Sequence, residues 1–463
     1  MNPMSRVPRY VLLAAVLLLA APVLLPVDFG GIAIAQEEKK ENKSAPRSGR
    51  KSKSMSVKVG DLILEVSELI DAENYNEAVK LLDKVKAMPK LSDYEKVNMY
   101  SMYGYLYFAL EDYGKAINAY EMVLEQPDLP ESAMQQAIRT LAQLAFVKED
   151  YQAAIGYANR YMDMLGPDSD MYALIGTAYY SIAAAKANPT KADFAKIIPP
   201  VDKAMALARE NELEMKENWW LLLRVAYWEQ DNYPKVKEVL EQLVIGWPKK
   251  EYWTQLSGVY YELKDEPRQL GAYLAAYDQG LLEKSAELVQ LAQLFLQAEA
   301  PYKGARVLEK GFDAEQIERT ISNLRLFSQA WQMAAEDLKA IPPLKEAAGI
   351  TDDGELYARL AQSYLNLSKY KDCIDSSKKA LNKGGLKNQG NVYLIYGMCQ
   401  YETGKLSSAK KTFRKALKHP KSAKTANSWI AFVKSEEDRL SHFEEAMKRA
   451  QTALGETQAS LIQ

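Results

Sequence analysis

A compact side chain returns at near-regular intervals along most of this chain. It can be followed as Val66, Gly104, Ala142, Gly176, Arg224, Ser257, Ala292, Ser328, Ala361 and Gly397, with Arg224 the bulky exception. Successive spacings are 38, 38, 34, 48, 33, 35, 36, 33 and 36 residues. A period in this range is the length of one helical hairpin, and a run of such hairpins buries a continuous core only by stacking. From about Val57 onward every stretch also carries the apolar spacing of an amphipathic helix. The chain is therefore expected to be all-helical and repetitive.

The clearest unit runs from Tyr100 to Pro127. Gly104 and Ala116 are its small residues, with Val123 a looser third; Tyr100, Tyr103, Tyr107 and Tyr120 fill the space around them. Where two helices cross closely, a bulky side chain would push the backbones apart. The same frame fits Trp220, Leu223, Tyr227, Tyr233, Val236, Leu240, Leu243 and Pro248, then Tyr357, Leu360, Ala361, Tyr364, Tyr370, Cys373 and Ala380, then Tyr393, Gly397, Ala409, Phe413 and Ala416. Weaker units carry Tyr75, Ala78 and Leu82, and Leu141, Ala142, Tyr151 and Ala154.

This spacing resembles the tetratricopeptide-repeat (TPR) consensus over residues 57–424. The resemblance implies a right-handed superhelical solenoid of about ten helix pairs, with first helices lining a concave face that takes protein segments. Residues 425–453, with Trp429, Phe432 and Phe443 on a sparse apolar face, are expected to form a capping helix. Residues 454–463 are expected to fray.

Several residues depart from the pattern. Proline is tolerated in a helix's first turn but not in its middle. Pro199-Pro200, Glu266-Pro267 and Pro342-Pro343 thus imply second helices that start late. The spacing of 48 implies an insertion around Ala187–Phe194, read either as a passive excursion or as a hinge or partner contact.

The groove-facing position of the resemblance falls four residues after the compact one. It holds Phe108, Phe146, Tyr180, Trp228 and Tyr261 in consecutive repeats, then Leu365 and Tyr401 further on. Those aromatics are candidate partner-binding residues; the competing reading is that they pack between helices. Arg139, Asn98 and their equivalents are mixed in charge and lack the carboxylate clamp of chaperone-binding TPR domains. Cys373 and Cys399, the only cysteines, fall in adjacent repeats and are read either as a disulfide or as two separate buried thiols.

The first 56 residues read differently. Arg6 and Arg9 precede an apolar run from Val11 to Leu25, and Ala33-Ile34-Ala35 offers a small-x-small cleavage pattern before Gln36. Residues 1–35 are expected to be an export signal without a lipidated cysteine, and residues 36–56 a disordered basic linker. About 15 apolar residues are short for a membrane span, which needs about 20. A periplasmic location follows for a Gram-negative source, with an uncleaved inner-membrane anchor as the alternative. Membrane contact is expected at most through this N-terminal segment.

The two histidines, His419 and His442, leave little scope for metal or His-based acid–base chemistry. Nucleotide-loop, zinc-protease, C-x-x-C and nucleophile-elbow motifs are absent from the sequence. The net charge of −2 gives no global field for nucleic acid. No enzyme activity and no cofactor are therefore expected. In layout the chain is similar to periplasmic TPR proteins encoded with TonB–ExbB–ExbD systems, which implies an adaptor for outer-membrane uptake. The alternative is a scaffold for envelope or polysaccharide-export assembly.

Overall fold

A computed structural model describes residues 55–351 and 353–460, with side chains to 452. The expected signal segment, nearly all of the expected linker and the last three residues lie outside the described residues. The chain divides into two compact units, Met1–Tyr252 and Trp253–Gln463.

The first unit is a succession of hairpins. They are α1 (Val57–Asp71) with α2 (Tyr75–Lys86), α3 (Asp93–Ala109) with α4 (Tyr113–Leu124), and α5 (Glu131–Val147) with α6 (Tyr151–Leu165). The fourth is α7 (Ser169–Ala184) with α9 (Ile198–Glu210), the short α8 (Lys191–Ala195) lying between them. The fifth is α10 (Glu217–Glu229) with α11 (Tyr233–Gly246). α12 (Lys250–Glu262) begins in the first unit and continues into the second, where it is followed by α13 (Glu266–Asp278).

The second unit continues with α14 (Ser285–Gln297) and α15 (Pro301–Asp313), α16 (Ile321–Met333) and α17 (Asp337–Ile350), α18 (Gly354–Asn366) and α19 (Tyr370–Lys383), and α20 (Gln389–Glu402) and α21 (Leu406–Ala416). The long α22 (Pro420–Ser460) closes the array by packing on α20 and α21. Successive helices pack on one another from α1 to α7 in the first unit and from α13 to α22 in the second, and α9, α10 and α11 pack in turn. The described chain is thus an all-helical hairpin solenoid with a terminal helix.

Every compact position lies on a first helix and is buried. The turns keep the same register. Residues with left-handed backbone stand seven positions after the compact one in nine repeats: Glu73, Glu111, Glu149, Asp231, Lys264, Glu299, Ala335, Ser368 and Gly404. Each reverses the chain out of its first helix. At Glu73 the turn closes with Glu73 N–H on the Ile70 carbonyl (2.9 Å) and Asn74 N–H on the Leu69 carbonyl (2.8 Å). The next residue caps the second helix, and the side chains of Asp112, Asp150, Asn232 and Asp265 accept the capping bond.

The repeat built on Gly176 is the exception, because Ala183 remains helical and the insertion follows it. That insertion is tied down. Thr190 and Asp193 form a capping box at α8, Phe194 and Ile197 are buried, and the Lys191 ammonium reaches Asp231 (2.7 Å) in the turn of the next hairpin. The fourth and fifth hairpins are braced by it.

The late start expected from the proline pairs occurs only at α9; α13 and α17 start nine residues after their compact positions, like the other second helices. Pro199 and Pro267 sit at the first positions of α9 and α13, where the missing N–H is not needed. Pro342 and Pro343 instead lie inside α17, which already starts at Asp337. Ala340, Ile341, Leu344 and Ala347 are buried on that helix. Tertiary packing holds it together despite the two missing donors. α22 likewise begins at Pro420, ahead of the expected 425, and stays helical to Ser460.

Candidate functional site

The residues four after the compact position do not form one uniform row. Phe146 and Tyr180 are buried, at 9% and 4% exposure, so burial makes them packing residues and corrects the groove reading for these two. Phe108, Trp228, Leu365 and Tyr401 are half-buried, and Tyr261 is 45% exposed.

Three of these rings share one partner type. Phe108 meets Tyr113 at 6.0 Å between centroids, Phe146 meets Tyr151 at 5.2 Å and Trp228 meets Tyr233 at 6.3 Å. Each pair spans the turn of a single hairpin, joining the end of its first helix to the start of its second. These contacts clasp the turn. Tyr401 packs instead on Trp429 (5.8 Å) and Phe432 (5.3 Å) of α22. In the repeat of Tyr261 the clasp position is held by Glu266 rather than tyrosine, and the ring lies under the Lys264 ammonium, 4.9 Å from its centroid. Tyr261 is the member of the aromatic set most open to a partner.

Arg224, the misfit at the compact position, is 4% exposed. Its guanidinium stands 5.8 Å from the Tyr252 ring centroid. Burial pulls its pKa down, while Tyr252, Glu251, Tyr180 and Glu217 pull it back up. Glu217 also accepts from the Tyr252 hydroxyl and from the Lys249 ammonium (2.6 Å). Burial, and then this bond to Glu217, push the Tyr252 phenol well up. α7, α10 and α12 are thus keyed by a buried polar cluster, where other repeats use a small residue.

A second polar device recurs in two distant repeats. The Arg139 guanidinium on α5 reaches Asp168, the N-cap of α7, at 3.0 Å. The Arg325 guanidinium on α16 reaches Asp353, the N-cap of α18, at 2.5 Å. Each arginine lies three before its compact residue, and each aspartate eight before the next. One carboxylate therefore both caps a helix and joins adjacent repeats.

A cleft of about 200 Å³ opens among α2, α3 and α4. Tyr103 and Tyr107 stack there at 5.8 Å, and the Tyr103 hydroxyl donates to Asp83 at 2.5 Å. The Lys86 and Lys115 ammoniums lie 5.9 and 5.3 Å from these two rings. Burial, and then the bond to Asp83, raise the Tyr103 phenol far above its ordinary value. Its polar groups are largely engaged already, Tyr103 with Asp83 and Lys115 with Asp112.

Cys373 on α19 and Cys399 on α20 are joined in the structure, with Cα atoms 6.3 Å apart and both side chains buried. Beyond the array, α22 carries Leu440, Phe443 and Met447 at 37%, 60% and 47% exposure, spaced along one side of the helix.

No family model matches the chain, and no curated relative matches it. Among solved structures it is similar to a tetratricopeptide repeat protein from Parabacteroides merdae, at 13% identity and TM-score 0.34, over 59% of this chain and 99% of that one. It is similar to MamA at 17% identity and TM-score 0.31, over 36% and 88%. The TPR2AB domain of yeast Sti1, in complex with pHSP90, matches at 14% identity and TM-score 0.23, over 65% and 99%. The hairpin architecture rests on the chain's own register of compact residues and left-handed turns.

Proposed function

We propose that this chain is a non-catalytic protein-binding scaffold of the TPR type, exported to the periplasm, where it assists a TonB-dependent uptake system. The observation that carries the binding role is the single register held from Val66 to Gly397. Successive hairpins are each stabilised by their neighbours, an architecture whose product is an extended surface for partners. Tyr261 supplies an exposed ring on that surface. Export is supported by the Arg6-to-Ala35 pattern, and the TonB link by similarity of layout. A scaffold for envelope or polysaccharide-export assembly is the competing role.

Crosslinking in the native envelope followed by mass spectrometry tests the partner. Recovery of TonB, ExbB or ExbD supports the uptake reading. Recovery of polysaccharide-export components without them favours the alternative. N-terminal sequencing of the fractionated protein tests export: a mature chain starting at Gln36 in the periplasmic fraction is expected, and an intact Met1 in the membrane fraction indicates the anchor.

A further inference from the structure

The net charge of −2 conceals a strong local imbalance. From Lys369 to Lys424 the sequence holds thirteen lysines and one arginine, against three acids, Asp372, Asp375 and Glu402. In the structure the basic residues fall on α19, α21, the start of α22 and the turns beside them, within one unit.

The basic side chains are arranged in register. Lys378 and Lys379 on α19 stand 36 residues before Arg414 and Lys415 on α21, the same interval that separates Ala361 from Gly397. All four are exposed. The rings beneath them repeat as well. Lys379 and Lys383 each lie 5.7 Å from the centroid of Tyr357, and Lys415 lies 5.9 Å from that of Tyr393, the equivalent tyrosine one repeat on. Two successive second helices therefore present matching basic rows on equivalent turns. Lys410 is neutralised by Glu437 of α22, whereas Asp375 reaches Lys378 only at 3.9 Å, on an exposed helix face.

We propose that this face docks on an anionic lipid surface, a membrane contact beyond the N-terminal segment to which the sequence alone confines it. Its chemistry favours lipid headgroups over other polyanions. Lysine outnumbers arginine thirteen to one, giving hydrated point charges rather than the planar forks that select phosphates or bases in nucleic acid. Tyr357 and Tyr393 are covered by lysines, so they offer no stacking platform for bases. The rows extend over two repeats, a span that a laterally continuous negative surface meets all at once. The docking is separate from the protein-binding role and requires none of the aromatic candidates.

The test is co-flotation of the full chain with phosphatidylcholine vesicles, with and without phosphatidylglycerol. The N-terminal apolar run would bind both vesicle types alike and the basic linker would favour the anionic ones, so the readout is the change in anionic preference between the wild type and a variant of the face. The wild type is expected to prefer the anionic vesicles and to lose that preference as salt shortens the screening length. The variant Lys379→Glu/Arg414→Glu/Lys415→Glu is expected to lose at least about tenfold of the preference, with its helical circular dichroism retained because all three positions are exposed. Equal binding of the wild type to both vesicles, or a preference unchanged in the variant, overturns the proposal. So does binding to duplex DNA or poly-glutamate without a preference for anionic vesicles, which would assign the face to a different polyanion.

Discussion

Ser56 gives both its backbone N–H (3.0 Å) and its hydroxyl (2.7 Å) to one carboxylate oxygen of Glu95, 39 residues further on. The other carboxylate oxygen takes the N–H and hydroxyl of Ser92, each at 2.8 Å. One buried glutamate thus anchors the start of α1 and closes the capping box of α3.

Burial pushes the Glu95 carboxyl upward, but the bonds from Ser56 and Ser92 outweigh it and leave the pKa lowered. A lowered carboxyl pKa adds stability that is present above the ordinary glutamate value and is lost as pH falls through the folded value. The protection of α1 amides, measured against their intrinsic exchange rate, is expected to fall in acid. Glu95→Gln should cost about 1–3 kcal/mol at neutral pH and flatten that dependence. An unchanged acid response in the variant would assign it to other groups.

Close approach at the compact position is testable glycine by glycine. A Cβ on Gly104 would stand 2.4 Å from the Tyr120 ring, and one on Gly397 2.5 Å from the Phe413 ring; both rings are buried. Gly104→Ala and Gly397→Ala are each expected to destabilise by about 1–3 kcal/mol. Gly258 lies in α12 with nothing within 4 Å of its added Cβ. Gly258→Ala should be neutral or stabilising by up to about 1 kcal/mol, since alanine favours the helix. Denaturant titrations that rank the three otherwise would contradict these packing distances.

The aromatic set should split in thermal melts. Phe146→Ala removes a buried ring and its Tyr151 contact, and is expected to cost about 3–5 kcal/mol. Tyr261→Ala should stay within about 1 kcal/mol, because the ring is exposed. If partner capture then weakens in Tyr261→Ala at unchanged melting temperature, the ring is a binding residue. Equal melting losses in both variants would make it core.

The Cys373–Cys399 link closes a short loop with a sequence separation of 26. Loop-closure entropy of that size is worth about 3 kcal/mol. Dithiothreitol is expected to lower the stability of the wild type and to leave Cys373→Ser/Cys399→Ser unaffected. A wild-type chain that reacts with two equivalents of a thiol reagent after denaturation without reductant carries free thiols, and the prediction fails.

What the sequence determined by itself was the periodic skeleton. Compact residues recur because two helices of a hairpin can approach only where side chains are small, and that constraint is written locally, once per repeat. The all-helical class, the hairpins and a terminal helix were legible from it. The turns were not legible in the same way: their left-handed residues are glutamate, aspartate, lysine, alanine or serine in eight repeats and glycine only at Gly404. Packing on both sides imposes that conformation on residues that do not ask for it. The tertiary structure also separated Tyr180 from Tyr261, which share a register position. Exposure depends on what stands across the turn and in the next repeat: Tyr180 is buried in the repeat with the insertion, near Arg224, whereas Tyr261 meets a repeat with Glu266 in place of the clasping tyrosine. The same holds for Pro342 and Pro343, carried inside α17 by its buried face, and for the lysines of α19 and α21, whose alignment on one side follows from the stacking of two hairpins. Local spacing specifies the repeat, and only the contacts between repeats decide which of its side chains face outward.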